Sequence, residues 1–74
     1  MKKVETLYYK TGEDNEEYWA LLDDLRRNAK HLGVVWESAY AEISYEKDGY
    51  VYVVSEDMDY GIQYSIEKFK KEEA

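Results

Sequence analysis

Hydrophobic residues recur along this chain with different periods, and each period predicts a different element. Residues 3–10 are rich in β-forming side chains and end at Thr11-Gly12, a turn signal, so they predict a first strand. Apolar residues three or four positions apart then predict an amphipathic helix over residues 14–32. Five residues define its buried face and two more widen it: Tyr18, Leu22, Leu25, Ala29 and Leu32, flanked by Trp19 and Leu21.

Polar residues and a glycine mark the ends of this predicted helix. Asp14 and Glu17 have the spacing of a capping box, in which each side chain accepts a hydrogen bond from the backbone at the other position. Gly33 follows the last apolar residue, where a left-handed C-cap favours glycine. His31 then lies in the last turn, where an imidazole commonly donates to unpaired carbonyls.

From Val34 to Glu46 the pattern changes to alternation, which is typical of a strand. Asp48-Gly49 follows, and this pair favours the type I′ turn of a hairpin because both turn positions need positive φ. Folding about this turn predicts five cross-strand pairs. On the core side they are Tyr45–Tyr52 and Ile43–Val54, and on the other side Glu46–Val51, Ser44–Val53 and Glu42–Ser55. One face of the hairpin is therefore expected to be apolar and the other to carry carboxylates.

A second helix is predicted after the hairpin, with Ser55 or Asp57 as its cap. Its inward-facing residues are expected to be Met58, Ile62, Ile66 and Phe69. The predicted fold is an α+β single domain over residues 1–74, with the order β-α-β-β-α. Two helices cover one face of a three-stranded sheet, and the other face is uncovered unless a partner binds there.

The charge of the chain narrows the possible functions. It has 17 acidic and 10 basic residues and a net charge of −7, which argues against a surface for nucleic acid or an anionic membrane. Between residues 31 and 67 there are eight acids and a single base, Lys47. Without cysteine and with one histidine, neither a disulfide nor a Cys/His zinc site is expected. No signal peptide or membrane span is expected, which favours a cytoplasmic protein.

The sequence contains no recognisable catalytic motif. His31 is the only histidine that could act as a general base, and the four glycines form no phosphate-binding loop. A calcium loop with Gly61 in its sixth position would put Met58 and Tyr60 where carboxylates are needed. We therefore expect a protein without enzymatic activity, cofactor or metal.

Nine tyrosines are the other unusual feature of the composition. Tyrosine suits half-buried strands and thin cores, but it also offers a large contact area at low entropic cost in binding surfaces. Aromatic and acidic residues of the hairpin are expected to form one acidic, aromatic face that suits a basic partner. Its members are Trp36, Glu37, Tyr40, Glu42, Glu46, Asp48 and Tyr50.

Several short motifs follow one another from the hairpin onward. They are Asp48-Gly49, Tyr52-Val53-Val54-Ser55-Glu56, Ile62, Ile66 and Phe69-Lys70. This segment, residues 43–71, resembles the hairpin and helix of small acidic phage anti-CRISPR proteins that inhibit Cas9. The resemblance implies a DNA mimic whose carboxylates replace phosphates in a basic groove, in the cytoplasm of the host cell. The positions that it implies as contacts are Glu46, Asp48, Gly49, Glu56, Asp57 and Asp59.

Two functions are compatible with these features. The first is a non-enzymatic inhibitor that occupies a basic, nucleic-acid-binding surface of a partner such as a Cas effector, without binding nucleic acid itself. The second is a structural or interaction module that homodimerises through its uncovered sheet face and buries Trp36, Tyr40, Val51 and Val53. Salt distinguishes them, because carboxylate-driven binding weakens with ionic strength and apolar association does not. A laboratory-made domain without a partner would fit the absence of Cys and Pro, but the tyrosines argue against it.

Overall fold

The computed structural model describes residues 2–11, 15–58 and 63–71, which form one antiparallel sheet and one helix. In chain order the elements are β1 (Lys2–Thr11), α1 (Glu16–Asn28), β2 (Lys30–Glu37), β3 (Tyr40–Lys47), β4 (Tyr50–Asp57) and β5 (Gln63–Lys70). The spatial order of the strands is β1-β5-β4-β3-β2. The last strand therefore lies between the first and the fourth, and β1 and β2 are the two edges.

The predicted β-α-β-β-α fold, with a three-stranded sheet and two helices, is wrong. The described residues contain five strands and one helix. Two of these strands occupy sequence that hydrophobic periodicity assigns to helices. β5 replaces most of the predicted second helix, and the start of β2 replaces the last turn of the predicted first helix.

β5 is a strand because its pairing on both sides outweighs the helical spacing of its apolar residues. It pairs with β1 on one side and β4 on the other, which satisfies backbone groups on both of its edges. Ile66 is buried in the core, whereas Phe69 pairs with Val51 on the opposite face. Three positions apart suits one face of a helix but opposite faces of a strand.

The other residues of the predicted second helix take different places. Ser55 and Asp57, its predicted caps, lie inside β4. Met58 is exposed, and its N–H donates to the carbonyl of Ala39 at 2.8 Å. Ile62 lies outside the described residues.

The start of α1 differs from the predicted capping box. Asn15 occupies the N-cap, and its side chain makes no hydrogen bond to the first turn. Instead, its Oδ1 accepts a hydrogen bond of 2.8 Å from the hydroxyl of Tyr8, which ties the helix start to β1. Asp14, the predicted cap, lies outside the described residues.

The end of α1 comes one turn earlier than predicted. Ala29 is extended, with φ −119° and ψ 157°, although its N–H still donates to the carbonyl of Leu25 at 2.9 Å. Gly33 is therefore not a C-cap, and Leu32 is exposed on β2 rather than buried under a helix. The β-branched and aromatic run from Val34 to Trp36 favours a strand, and pairing with β3 extends that strand back to residue 30.

The β3–β4 hairpin confirms the prediction made from Asp48-Gly49. Both turn residues have positive φ, 54° and 83°, and all five predicted cross-strand pairs are present. A further turn at residues 38–39 divides the single predicted strand into β2 and β3. Because the parity changes at this turn, Val35 pairs with Glu42 and lies on the face opposite Ile43.

α1 covers one face of the sheet, which we call the helix face. Tyr18, Leu22 and Leu25 of the helix are buried, as their spacing predicts. They pack on five buried residues of the sheet: Tyr8, Tyr45, Val54, Tyr64 and Ile66. Ile43 and Tyr52 also contact this core, which confirms the predicted core side of the hairpin. No helix of the described ranges covers the other face, which we call the open face.

Candidate functional site on the open face

The strand register defines which residues share the open face, because directly paired residues of neighbouring strands point to the same side. The open face consists of four cross-strand rows. From the end at the β2–β3 turn they are Thr11, Gln63, Asp57, Tyr40 and Glu37; Tyr9, Ser65, Ser55, Glu42 and Val35; Thr6, Glu67, Val53, Ser44 and Gly33; and Lys3, Phe69, Val51, Glu46 and Lys30. We call the first two rows the acid rows.

The acid rows hold three carboxylates, Glu37, Glu42 and Asp57. Their other seven residues carry no charge, so these two rows contain no lysine or arginine. Neighbouring strands are roughly 5 Å apart and same-face residues of one strand roughly 7 Å apart. The three acidic residues therefore share one patch of the open face.

Tyr40 lies in the middle of this patch and orients one of its carboxylates. Its hydroxyl donates to Oε2 of Glu42 at 2.6 Å and lies 3.4 Å from Oγ of Ser55. The hydrogen bond to Glu42 raises the pKa of Tyr40 above its usual value. The hydroxyl therefore stays protonated near neutral pH, and the Glu42 carboxylate keeps a fixed donor.

Acids at the other end of the open face are paired with lysines. Nζ of Lys3 lies 2.7 Å from Oε2 of Glu67, and Nζ of Lys71 lies 3.3 Å from both carboxylate oxygens of Glu46. Lys30 also stands directly opposite Glu46 in the strand register. The lysine partners of the open-face acids therefore lie at this end, whereas the acid rows contain no lysine or arginine.

Apolar residues separate the two ends of the face. A shallow groove of about 340 Å³ runs beside β2 and is lined by Leu32, Gly33, Val34, Val35, Glu42, Ser44 and Val51. Val51 is only 5% exposed, whereas Val35 is 50% exposed. Glu42 belongs to an acid row and also lines the groove, so it stands where the two meet.

Four of the ten predicted binding residues come together in the acid rows: Glu37, Tyr40, Glu42 and Asp57. Glu46 shares the open face but lies at the lysine end. Asp48 and Gly49 form the exposed hairpin turn at that same end. Asp59 lies outside the described residues.

The prediction that Trp36 and Tyr50 belong to the acidic face is wrong, because both lie on the helix face with Glu56. Trp36 pairs with Ala41, which pairs with Glu56, and Tyr50 has the same parity on β4 as Glu56. Nζ of Lys68 lies 4.1 Å from the ring centroid of Tyr50.

Glu56 has a structural contact of its own on the helix face. It accepts a hydrogen bond of 2.8 Å from the hydroxyl of Tyr18. Burial raises the pKa of Tyr18 far above its usual value, and the bond to Glu56 raises it further. This carboxylate therefore anchors the start of α1 to β4.

The contribution of β5 to the open face is missing from the sequence-based site. Ser65, Glu67 and Phe69 lie there because residues 63–70 form a strand and not a helix. The available signal was the alternation of these residues with Tyr64 and Ile66, which competes with the helical spacing of the same segment.

His31 lies on β2, with its ring centroid 5.6 Å from that of Tyr45, so its predicted place in a last helical turn is wrong. Over residues 2–11, 15–58 and 63–71, no three acidic or histidine side chains are placed to hold a metal ion. α1, the helix of these ranges, is too short and too polar to cross a membrane.

Comparison of the chain with protein-family models, with characterised proteins and with solved structures gave no match. A fold by itself does not define an activity, so the chemistry of the open face is the guide to function.

Proposed function

We propose that this protein is a non-enzymatic binding protein that places its acid rows against a basic, nucleic-acid-binding surface of another protein and blocks that surface. The observation that supports this proposal is the uneven pairing of the open-face acids. Glu46 and Glu67 each have a lysine partner, whereas Glu37 and Glu42 stand in rows that contain no lysine or arginine. Lysines or arginines of a partner would supply the missing positive charge.

The geometry of the acid rows suits such a partner. Strand and residue spacing put the Cα atoms of Glu37, Glu42 and Asp57 roughly 8–10 Å apart, so each side chain can meet a different basic side chain. The residues lie on paired strands and not on a loop, so little order has to be gained on binding. The net charge of −7 would also accelerate the encounter with a basic groove at low salt.

The acidic surface continues around the same end of the molecule. α1 begins there, because Tyr18 in its first turn bonds to Glu56 next to the acid rows. Glu16 and Glu17 are the acidic residues of that turn. A groove that encloses this end would meet carboxylates from the helix and from the sheet, as a DNA mimic requires.

The alternative, a homodimer that stacks two open faces, has less support. The four rows of this face contain five acids and two lysines, so two copies would set like charges against each other. Desolvating these carboxylates would add a further cost. The open face therefore suits a basic partner better than a second copy of itself.

A displacement assay tests this proposal. Labelled DNA is bound to a guide-loaded Cas9 and, in parallel, to a panel of other basic nucleic-acid-binding proteins, and the fluorescence anisotropy is followed as this protein is added. We expect displacement from at least one member, with a potency that falls steeply as salt rises. Glu42→Gln should weaken the displacement about tenfold, the effect of losing about 1.4 kcal/mol of charge-assisted binding.

Glu67→Gln is the matched control. It removes the same charge from the same face, but from a carboxylate that already has Lys3 as its partner. We expect it to change the potency less than Glu42→Gln does. Equal effects of both variants would show that only net charge matters, and an absence of displacement across the panel would contradict the proposal.

A further inference from the structure

β2 is an edge strand with an unusual concentration of exposed apolar side chains. Eight large apolar residues of the described ranges are exposed, and four of them lie on this strand: Leu32, Val34, Val35 and Trp36. Trp36 is the most exposed of all, at 72%. Among the described strands, β2 has a neighbour on one side only, so it can still pair along its other side.

β1, the opposite edge, is protected in the ways that sheet proteins commonly use. It carries Lys2, Lys3 and Lys10, and two irregularities interrupt its pairing with β5. Charged lysines and bulges both discourage the addition of another strand. β2 has charges only at its ends, Lys30 and Glu37. The two edges therefore differ in their capacity to accept a partner strand.

We propose that β2 pairs antiparallel with β2 of a second copy, so that two five-stranded sheets join into one ten-stranded sheet. The two-fold axis passes midway between Val34 of one copy and Val34 of the other, so these two residues face each other. The register follows from the irregularity between His31 and Gly33, where Leu32 is the extra residue. With Leu32 bulged in both copies, Gly33 faces Val35, His31 faces Trp36 and Lys30 faces Glu37.

This register satisfies two independent conditions. The first is the face of each side chain: Lys30 and Glu37 both lie on the open face, and His31 and Trp36 both lie on the helix face. Paired residues must share a face, and a two-fold axis perpendicular to the sheet preserves the faces.

The second condition is charge complementarity. Each end of the joined strands places Lys30 of one copy opposite Glu37 of the other, and no like charges face each other. In the dimer, Glu37 has this lysine beside it, and Glu42 stays available to a basic partner. β2 carries no net charge, although the whole chain carries −7. Repulsion between two acidic chains is therefore weakest along this strand.

A groove on the helix face provides room for the second copy. It has a volume of about 340 Å³ and lies between α1 and β2, where Leu22, Arg26, His31, Val34, Trp36 and Ile43 line it. In the proposed register, Trp36 of the second copy lies beside His31, at the edge of this groove that faces solvent in the single chain. The exposed ring of Trp36 would be covered there. Because β1 is protected, the pairing closes at two chains and does not continue into a fibre.

A single cysteine tests the position of the axis. The chain contains no cysteine, so Val34→Cys introduces one thiol per copy. Directly opposed residues of antiparallel strands lie at a Cα separation that a disulfide can bridge. We expect mild oxidation to convert most of this variant into a covalent dimer. Val4→Cys is the control, because Val4 is also an edge valine and is similarly exposed, 49% against 44%.

Sedimentation across a concentration series measures the dimer without cross-linking. We expect the wild type to shift toward twice the 8.8 kDa of one chain. Lys30→Glu and Glu37→Lys should each weaken the dimer roughly tenfold, since each change affects both symmetric ends. The double variant, which exchanges the two charges, should recover most of the lost affinity.

Specific results would overturn the proposal. One is a wild type that remains monomeric at every concentration. This result would overturn the proposal even if β2 were found to pair with a strand of an unrelated protein. Another is cross-linking of Val34→Cys that does not exceed that of Val4→Cys. A third is a dimer whose affinity the double charge exchange does not restore, because Lys30 and Glu37 would then not face each other across the two copies. Circular dichroism of each variant verifies that the sheet is intact.

Discussion

The two faces of this sheet are built from the same strands but differ in what their side chains contact. On the helix face, Tyr18, Val54 and Ile66 belong to one buried core, and these three are the largest fully buried side chains of the described ranges. On the open face, only Val51 among the twenty residues of the four rows is buried. The centre of the helix face is therefore packed against α1, whereas nearly all residues of the open face stay partly or fully exposed.

We therefore expect a separation between the two faces: core truncations on the helix face should cost more stability than charge changes on the open face. Removal of an apolar side chain from the helix face leaves a cavity, whereas a charge change on the open face leaves the core untouched. The acid rows consequently add charge without contributing much to folding. Three substitutions, from the largest expected effect to the smallest, test this separation.

Ile66→Ala should have the largest effect. Ile66 is fully buried on β5, and its truncation should lower the free energy of unfolding by about 2–5 kcal/mol through lost burial and a cavity. Urea unfolding measures the loss. Val53→Ala on the open face is the control, with an expected loss of about 1 kcal/mol or less because Val53 is only half-buried. Equal losses from both variants would contradict the assignment of Ile66 to the core.

Tyr18→Phe should have an intermediate effect. It removes the hydrogen bond to Glu56 and should lower the free energy of unfolding by about 1–2 kcal/mol near neutral pH. Calorimetric unfolding of the two proteins provides the comparison. A stability equal to that of the wild type would mean that the hydrogen bond to Glu56 contributes no more free energy than hydration of the hydroxyl in the unfolded chain.

The same variant should also alter the stability at alkaline pH. The pKa of Tyr18 is raised in the folded state by burial and by the bond to Glu56, while an unfolded tyrosine titrates near 10. Above about pH 10 the unfolded chain therefore releases a proton that the folded chain retains, so stability falls as pH rises. We expect the wild type to lose stability more steeply in this range than Tyr18→Phe does. Parallel pH curves would contradict this role of Tyr18.

Lys3→Ala should have the smallest effect on stability. Its ion pair with Glu67 is 2.7 Å long but half-exposed, so its loss should cost about 0.5 kcal/mol, and less at high salt. The same change frees a carboxylate on the open face and should strengthen binding to a basic partner. Melting temperatures at low and high salt measure the first effect, and the displacement assay measures the second. Weaker displacement would show that Lys3 itself contacts the partner.

The parts of the fold that the sequence predicts are those with local causes. Asp48-Gly49 specifies the hairpin and all five pairs around it, because turn geometry determines the register. The buried face of α1 is likewise evident from the spacing of Tyr18, Leu22 and Leu25.

The parts that the sequence does not predict depend on partners distant in the chain. Residues 63–70 fit both a helix and a strand, and their place between β1 and β4 decides between them. Residues 30–32 continue a helical spacing, but pairing with β3 takes them into β2. In each case the backbone hydrogen bonds and burial gained in the sheet outweigh the local preference for a helix.

The candidate site shows the same division. Glu42 is assigned to the open face by the hairpin register alone, and Asp57 follows from its strand. Trp36 is assigned to the wrong face, because the turn at residues 38–39 changes the parity of β2 relative to β3. The pairing of Glu67 with Lys3 becomes visible only once β5 is known to be a strand.

Local sequence is therefore sufficient to predict the acidic charge, the hairpin with its register and the amphipathic face of one helix. Each of these follows from composition or from residues within a few positions of one another. Long-range contacts determine that five strands form the sheet, that β2 is an edge strand and that Glu46 and Glu67 of the open face have lysine partners. These features depend on which distant segments become neighbours, and hydrogen bonding and burial across the whole sheet determine that choice.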